Sequence, residues 1–361
     1  MRNKSNKKVG WLCTYTPEEI IHAAGFTPVR LLPGSGAFTE GSEDLLPPNI
    51  CPYPRRILST LRSGILQNME GVVVANSCNA MLHLYNVLRT AGDFFVYLLD
   101  VPRKLNDQAV DYFTGELIRL ADYLGGRGQP VTAETLASSL SLYRERAKYL
   151  QKLTDLQCYD LLLSAFPSGY HELAVEASGL SPEIFTAKLK RLVEKYSSGC
   201  RTQQDNRSLI LFAGGLISDS LSRMLDGRRE LIVYPENCSG MRYLLKKTPF
   251  VNPDRPATAG ELYRAISRAC LEKPPCPRIF NTSTREKYFR NLLDTMPVKG
   301  VIYHDLIFCD LCHYDYLLLQ DLLAGTGIPL LKVKTELGEE DSGQLQTRVE
   351  AFLEIVSQEE Q

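Results

Sequence analysis

Short apolar runs alternate with stretches of helical period at both ends of the chain, whereas a long central stretch carries the helical period alone. Near the N-terminus the apolar runs cover residues 8–12, 28–32, 72–75 and 94–99. Runs this short, separated by turn-rich segments, predict buried strands. Between them, Thr16-Pro17-Glu18-Glu19 reads as a helix start. Threonine would cap it, proline would take the first helical position, and the acids would fill the first turn. Gly25 would end that helix. Two further helices are predicted over 54–69 and 80–89, and residues 33–49 read as a loop rich in Gly, Pro, Ser and acids.

Residues 104–198 show no strand pattern. Amphipathic periods recur over 110–124, 134–153, 159–166 and 182–196, so this part is predicted to be helical. The alternation resumes with strands over 209–212, 231–234, 301–308 and 328–334, and helices over 285–296, 314–324 and 344–356. Ser218 is a candidate cap for a helix after the first of these strands. Apolar runs alternating with helices predict parallel β-α units. The expected organisation is therefore an N-terminal α/β domain (1–103), a helical insert or bridge (104–200) and a C-terminal α/β domain (201–361). There is a weak twofold likeness: each half places a cysteine after a late apolar strand.

Composition narrows the class. The chain has 361 residues and is 44% hydrophobic, enough for a substantial core. Its 41 basic and 42 acidic residues leave a net charge of -1, which points to neither a nucleic-acid nor a membrane surface. No apolar run approaches the roughly 18 residues of a membrane span. The basic start is followed by Glu18, Glu19 and His22, unlike a signal peptide, so a cytoplasmic location is expected. A Gly-x-Gly-x-x-Gly pattern and a Walker loop are both missing, so the chain itself is not expected to hydrolyse a nucleotide.

The candidate chemistry lies in the ten cysteines. Cys51, Cys78 and Cys309 fall where a loop should meet the end of a strand, and carboxyl ends of strands are where open α/β sheets bind ligands. Three thiolates gathered there would hold three corners of an iron–sulfur cube and leave the fourth iron open. Cys13 and Cys238 also sit at strand ends and rank second. Cys309-x-x-Cys312 is a Cys-x-x-Cys pair, suited to zinc, with His304 or His313 helping, or to redox chemistry. Cys158, Cys200, Cys270 and Cys276 read as structural. Spacing alone is nonspecific, because buried thiols often serve as small hydrophobes.

Other candidates are weaker. Gly214-Gly215 after a strand suits a tight turn better than a phosphate cradle. Ser35, between Gly34 and Gly36, is placed to approach a ligand. Glu18 and Glu19 are expected to serve the helix start, and His22 and His83 to be packing or surface residues. Asp315 and Glu336 are carboxylates that nothing singles out as bases. Arg55, near the first candidate ligand, suits a surface salt bridge better than a ligand's phosphate.

Several segments together resemble one family. They are Gly10-Trp11-Leu12-Cys13-Thr14-Tyr15-Thr16-Pro17-Glu18-Glu19, Leu46-Pro47-Pro48-Asn49-Ile50-Cys51-Pro52 and Ala75-Asn76-Ser77-Cys78. The likeness continues in Glu236-Asn237-Cys238-Ser239-Gly240-Met241-Arg242-Tyr243, Phe308-Cys309-Asp310 and Gly327-Ile328-Pro329-Leu330-Leu331. Their order resembles the 2-hydroxyacyl-CoA dehydratase and benzoyl-CoA reductase subunit family, of D-component type. Both ends of the chain match, and the helical middle largely does not.

The resemblance implies two Rossmann-like or flavodoxin-like domains with parallel sheets flanked by helices, plus a helical middle segment. It implies an oxygen-sensitive [4Fe–4S] cluster between them, held by Cys51, Cys78 and Cys309, in an enzyme of anaerobic metabolism. The implied enzyme is a lyase of the dehydratase type or a low-potential reductase. An ATP-hydrolysing iron–sulfur activator supplies one electron, and a ketyl radical of the acyl-CoA thioester then expels the hydroxyl. Implied partners are a homologous sister subunit in a heterodimer, or a second copy in a homodimer, together with that activator and an acyl-CoA substrate. Two alternatives accompany this reading: a non-catalytic partner subunit, and a small-molecule reductase carrying a double-cubane [8Fe–9S] cluster. Cys13, Cys238 and Cys312 are the spare thiols for the latter. Residues 52–77 lack the extra cysteine motif of that related group, which favours a single cubane. Asn79 stands where family members often have Asp.

Overall fold

Two four-stranded parallel sheets organise the chain, each in the order second, first, third, fourth strand. The structure, a computed structural model, describes residues 7–33, 45–62, 69–195, 207–217, 219–225, 228, 230–250, 257–337 and 343–358. The first sheet contains β1 (Lys8–Trp11), β2 (Thr27–Arg30), β3 (Met69–Ala75) and β4 (Phe95–Leu99), with α1 (Glu18–Ala23), α2 (Pro52–Arg62) and α3 (Asn79–Leu88) around it. The middle is helical: α4 (Asp107–Gly125), α5 (Ala133–Leu153), α6 (Tyr159–Ala165), α7 (Gly169–Gly179) and α8 (Pro182–Lys195). The second sheet contains β5 (Ser208–Gly214), β6 (Leu231–Glu236), β7 (Val298–Leu306) and β8 (Leu330–Thr335). Its helices are α9 (Asp219–Leu225), α10 (Met241–Leu244), α11 (Ala259–Leu271), α12 (Thr282–Thr295), α13 (Asp310–Leu323) and α14 (Gly343–Gln358). The fold is α/β, with two Rossmann/flavodoxin-like sheets as the sequence predicts.

The strands read as continuous apolar runs because helices cover both faces of each sheet. Val72, Val73, Val74 and Ala75 of β3 are all buried, as are Leu209 to Ala213 of β5. One core runs through both sheets and the helical middle, from Val9 through Phe113, Leu140 and Phe185 to Leu211 and Phe289. Asn106 caps α4 by accepting from the Ala109 N–H, and Thr132 caps α5 through a reciprocal box with Thr135. Among the described residues no helix is long and apolar enough to cross a membrane.

Three expectations change. Helices α7, α10 and α11 are additional to the sequence reading. At α1 the cap is Pro17, and the Thr16 hydroxyl is buried without a hydrogen-bond partner. Glu18 and Glu19 do more than start a helix. Glu18 pairs with Arg146 of α5 at 2.6 Å, and Glu19 pairs with Lys246, just after α10, at 3.0 Å. Both pairs are buried, so they tie the first sheet to the middle and to the second sheet. Ser218 and Ser35 lie outside the described residues.

Candidate functional site

The strand order in each sheet reverses direction on either side of its first strand, between β1 and β3 and again between β5 and β7. Ligands of open α/β sheets bind outside the carboxyl ends of strands at such switch points. Here both switch points open on one cavity of about 140 Å³. Cys13 follows β1, Cys78 follows β3, Cys238 follows β6, Cys309 follows β7, and Gly214-Gly215 ends β5; all of them line it. Gly214 has φ +91, and a Cβ there would sit 2.4 Å from the His304 carbonyl oxygen. The pair is thus a tight turn that brings β5 against β7.

Cys51, Cys78 and Cys309 converge as expected, packed in one cluster with Ala80, Leu306 and Leu337. Each stands at the start of a helix. Cys51 precedes α2, Cys78 is the N-cap of α3, and Cys309 is the N-cap of α13. The backbone N–H groups of Met81 and Ala80 favour a thiolate at Cys78, and those of Cys312 and Leu311 one at Cys309, although neither N-cap sulfur makes a capping hydrogen bond. Unpaired N–H groups and the positive end of the macrodipole favour thiolates at such positions. The Cys312 and Cys51 thiols also donate to Cys309, which holds that thiol well below its usual range. Donation to Cys309, together with burial, pushes Cys51 up, and burial raises Cys78. Phe308, just before Cys309, takes φ 60, a conformation costing about 1–3 kcal/mol outside glycine. That turn carries the chain from β7 to the helix start that presents Cys309.

A second thiol group shares the cavity and includes a residue that the sequence reading treats as structural. Cys276, in the proline-rich loop between α11 and α12, donates to Cys238, and Cys13 lies beside them. The Cys276 bond is the main cause holding the Cys238 thiol well below its usual range, with Arg242 and Lys273 adding to it. Arg242 Nη1 stands 3.9 Å from Cys238 Sγ. Arg30 extends from the end of β2 between the Trp11 and Tyr243 rings and donates through Nη2 to the Cys238 carbonyl at 2.5 Å. Lys273 Nζ lies 4.0 Å from the Tyr15 ring centroid. Lys273 Nζ, Arg30 Nε and Arg30 Nη1 are buried without a hydrogen-bond partner.

The other candidates resolve differently. His304 is buried, with Nδ1 on the Leu216 carbonyl and Nε2 on Thr335 Oγ1, each within 2.9 Å. Both of its nitrogens are engaged, so it is no zinc ligand for Cys309 and Cys312. Among the described residues no group of three or more His, Cys, Asp or Glu side chains is set to hold a single metal ion. One zinc gathers its ligands within about 2.3 Å of itself, whereas a cluster spreads its thiolates over several irons. Cys312 lies inside the first turn of α13 and serves Cys309 as a donor. His22 bonds to Ser139 and Glu183. Asp315 is buried against Arg285. Arg55 is buried rather than on the surface and pairs with Glu336 at 3.1 Å, so both of those candidates are already occupied.

A family model for the 2-hydroxyglutaryl-CoA dehydratase D-component matches residues 13–356. The chain belongs to this family. Similar curated proteins include the (R)-phenyllactyl-CoA dehydratase beta subunit of Clostridium sporogenes, 22% identical, covering 99% of this chain and 93% of that protein. The beta subunit of (R)-2-hydroxyglutaryl-CoA dehydratase from Acidaminococcus fermentans is 21% identical, covering 97% and 93%. A benzoyl-CoA reductase subunit of Thauera aromatica is 24% identical, covering 95% and 88%. All three relatives are named as subunits of a dehydratase or a reductase. The two sheets of this chain place the cavity where both halves of the family match contribute.

Proposed function

We propose that this chain is the iron–sulfur subunit of an enzyme acting on an acyl-CoA thioester, with a [4Fe–4S] cluster on Cys51, Cys78 and Cys309. One observation carries most of the reading: three thiols from two sheets meet in one cavity, each at a helix start. The donor set suits the group, since thiolates are the usual cluster ligands and helix N-termini offset anionic charge. The cluster would supply a low-potential electron and an iron with Lewis-acid character. The chain's own residues do the rest. Leu12, Met81, Leu216 and Leu306 keep the cavity walls apolar, and a dry site strengthens every electrostatic contact inside it. The relatives' names support a 2-hydroxyacyl-CoA dehydration or an aryl-CoA reduction as the overall reaction. In this reading an ATP-hydrolysing activator delivers the electron, a ketyl radical of the thioester is the reactive species, and a homologous sister subunit or a second copy completes the enzyme.

The size of the cavity favours a second reading, that a sister chain binds most of the substrate. Its volume of about 140 Å³ is below the roughly 300–1,000 Å³ of ordinary small-molecule pockets. The test is anaerobic purification and reconstitution, followed by iron and sulfide analysis and assays on 2-hydroxyacyl-CoA thioesters with an activator, with and without the sister chain. Cluster loss in Cys51→Ala, Cys78→Ala and Cys309→Ala is expected. Full iron in all three variants overturns the ligand assignment. Turnover without the sister chain rules out the second reading.

A further inference from the structure

Strand β3 ends at Ala75 and β4 at Leu99, so the carbonyls just past them lie beyond the ladder. One side chain from the other half of the molecule gathers four of these. Arg278, in the loop between α11 and α12, is only 3% exposed. It donates through Nε to the Ser77 carbonyl at 3.3 Å and through Nη1 to the Pro102 carbonyl at 2.7 Å. Its Nη2 serves the Asn76 and Val101 carbonyls at 3.4 and 2.8 Å. Carbonyls withdrawn from water need a donor, and a guanidinium offers five N–H groups in one rigid plane. Each of these acceptors is neutral, so the bonds leave the positive charge in place at the cavity wall, which Arg278 lines together with Ser77 and Cys78.

The acceptors share a purpose. Asn76 and Ser77 immediately precede Cys78. Asn76 is itself fixed to the end of β4: its Oδ1 accepts from the Val101 N–H at 2.9 Å, and its Nδ2 donates to Asp100. Phe280, two residues past Arg278, donates its N–H to the Arg103 carbonyl at 2.9 Å. Cys78 has less to hold it from its own side. As the N-cap of α3 it is extended, with φ -160 and ψ 173, and its side chain makes no capping bond. The direction of its thiol is therefore set by the two residues ahead of it.

We propose that Arg278 is the positioning residue for Cys78. Its forked grip on Asn76 and Ser77 aims the thiol at Cys51 and Cys309, with which Cys78 packs. This deepens, and rests on, the reading of Cys78 as a cluster ligand, but the grip belongs to the metal-free chain. Cys78 comes from the first half and Arg278 from the second, so the thiol takes its direction only once the two halves meet. A residue that merely joined the halves would, on removal, expose every thiol of the cavity alike. A positioning residue frees Cys78 ahead of Cys51 and Cys309.

Alkylation of the reduced, metal-free protein by iodoacetamide, followed thiol by thiol by mass spectrometry, separates the two roles. In Arg278→Met the Cys78 rate is expected to rise about tenfold over wild type through local opening, with Cys51 and Cys309 each changed by less than about twofold. Arg278→Lys keeps the charge and loses the fork, so it too is expected to free Cys78, by about threefold, and it carries the test if Arg278→Met does not fold. In reconstituted protein the same variants are expected to shift the electron paramagnetic resonance signal of the reduced cluster, because one ligand is differently aimed. Wild-type Cys78 rates in both variants, or an unchanged resonance signal in both, overturn the proposal, as does equal acceleration of all three thiols. Wild-type protein that takes up no iron overturns the cluster reading instead, and the alkylation rates still decide the role of Arg278.

Discussion

Arg242 holds Glu236 with two guanidinium nitrogens at 2.7 Å each and keeps its third, Nη1, 3.9 Å from Cys238 Sγ. A salt bridge with no exposed surface is thereby fixed to the thiol end of the cavity. Burial by itself would raise the Glu236 carboxyl, but Arg242 and Arg285 bring it down to about 2. The same carboxylate leads through Arg285 and Asp315 to Tyr303, whose hydroxyl donates to the Cys312 carbonyl at 2.6 Å. One polar chain thus runs beneath both thiol sets.

Replacing Arg242 with Leu leaves Glu236 buried with half its partners. Breaking a buried pair from one side costs about 3–5 kcal/mol, and Arg285 offsets part of that, so a loss near the lower figure is expected in urea unfolding. Arg242→Lys should recover part of the stability but lose the two-pronged grip. A change within experimental error for Arg242→Leu would show that the network does not hold the second sheet's loops in place.

Lys273→Met carries an unusual sign. Its ammonium is buried, and burial is the main influence lowering its pKa. In the metal-free protein the substitution removes an unpaired charge, so apo Lys273→Met should be at least as stable as the wild type. In protein loaded with the cluster proposed above it should shift the reduction midpoint to more negative values, because less positive charge lies beside the cavity's Cys238 and Cys276 thiols. Thermal melting of the apo form and a redox titration of the loaded form check the two halves separately. A destabilised apo variant would mean that the ammonium has a partner.

Gly214→Ala tests how the second sheet shapes the cavity. The position has φ +91 and a backbone oxygen 2.4 Å from the new Cβ, so neither the conformation nor the space suits alanine. A loss of more than about 1 kcal/mol is expected, with reduced iron uptake because the ends of β5 and β7 must separate. Denaturant midpoints and iron analysis on the same sample measure both effects.

His304 sets a pH dependence of its own. Burial brings its pKa down to about 4, against about 6.5 in an unfolded chain. Its contribution is present above the unfolded value and is lost as pH falls toward the folded one. The wild-type apo protein should therefore be about 2 kcal/mol less stable at pH 5 than at pH 7.5 from this residue. His304→Gln should flatten that part of the profile. Equal slopes in the two proteins would mean that His304 takes up its proton in the fold as readily as in the unfolded chain.

Most of the architecture is legible because buried parallel strands leave short, dense apolar runs, and β3 and β5 could hardly be read otherwise. Cys78 and Cys309 are legible for the same reason, since they follow β3 and β7 and strand ends converge. Cys51 stands not at a strand end, as the sequence suggests, but just before α2, well beyond β2. Cys276 escapes this logic. It sits in Lys-Pro-Pro-Cys-Pro, with no strand to place it, and only the return of the chain after α11 sets it beside Cys238. Helix α11 does carry a signal, the Thr258–Glu261 capping box ahead of Leu262, Tyr263 and Ile266. The polar partners of Glu18 and Glu19 lie more than a hundred residues away, and neither helix start hints at them.

The cavity also has a place in the order of synthesis. Each parallel sheet can form within its own stretch of chain, and domains generally fold as units from the N-terminus during translation. The cavity wall, however, includes Cys13 from the first strand and Cys309 from beyond the seventh. A nascent chain that has completed its first sheet presents Cys13, Cys51 and Cys78 with no opposite wall. The chamber closes only after β7 and Cys309 have left the ribosome, so a cluster of the kind proposed above would have to enter after both sheets have formed.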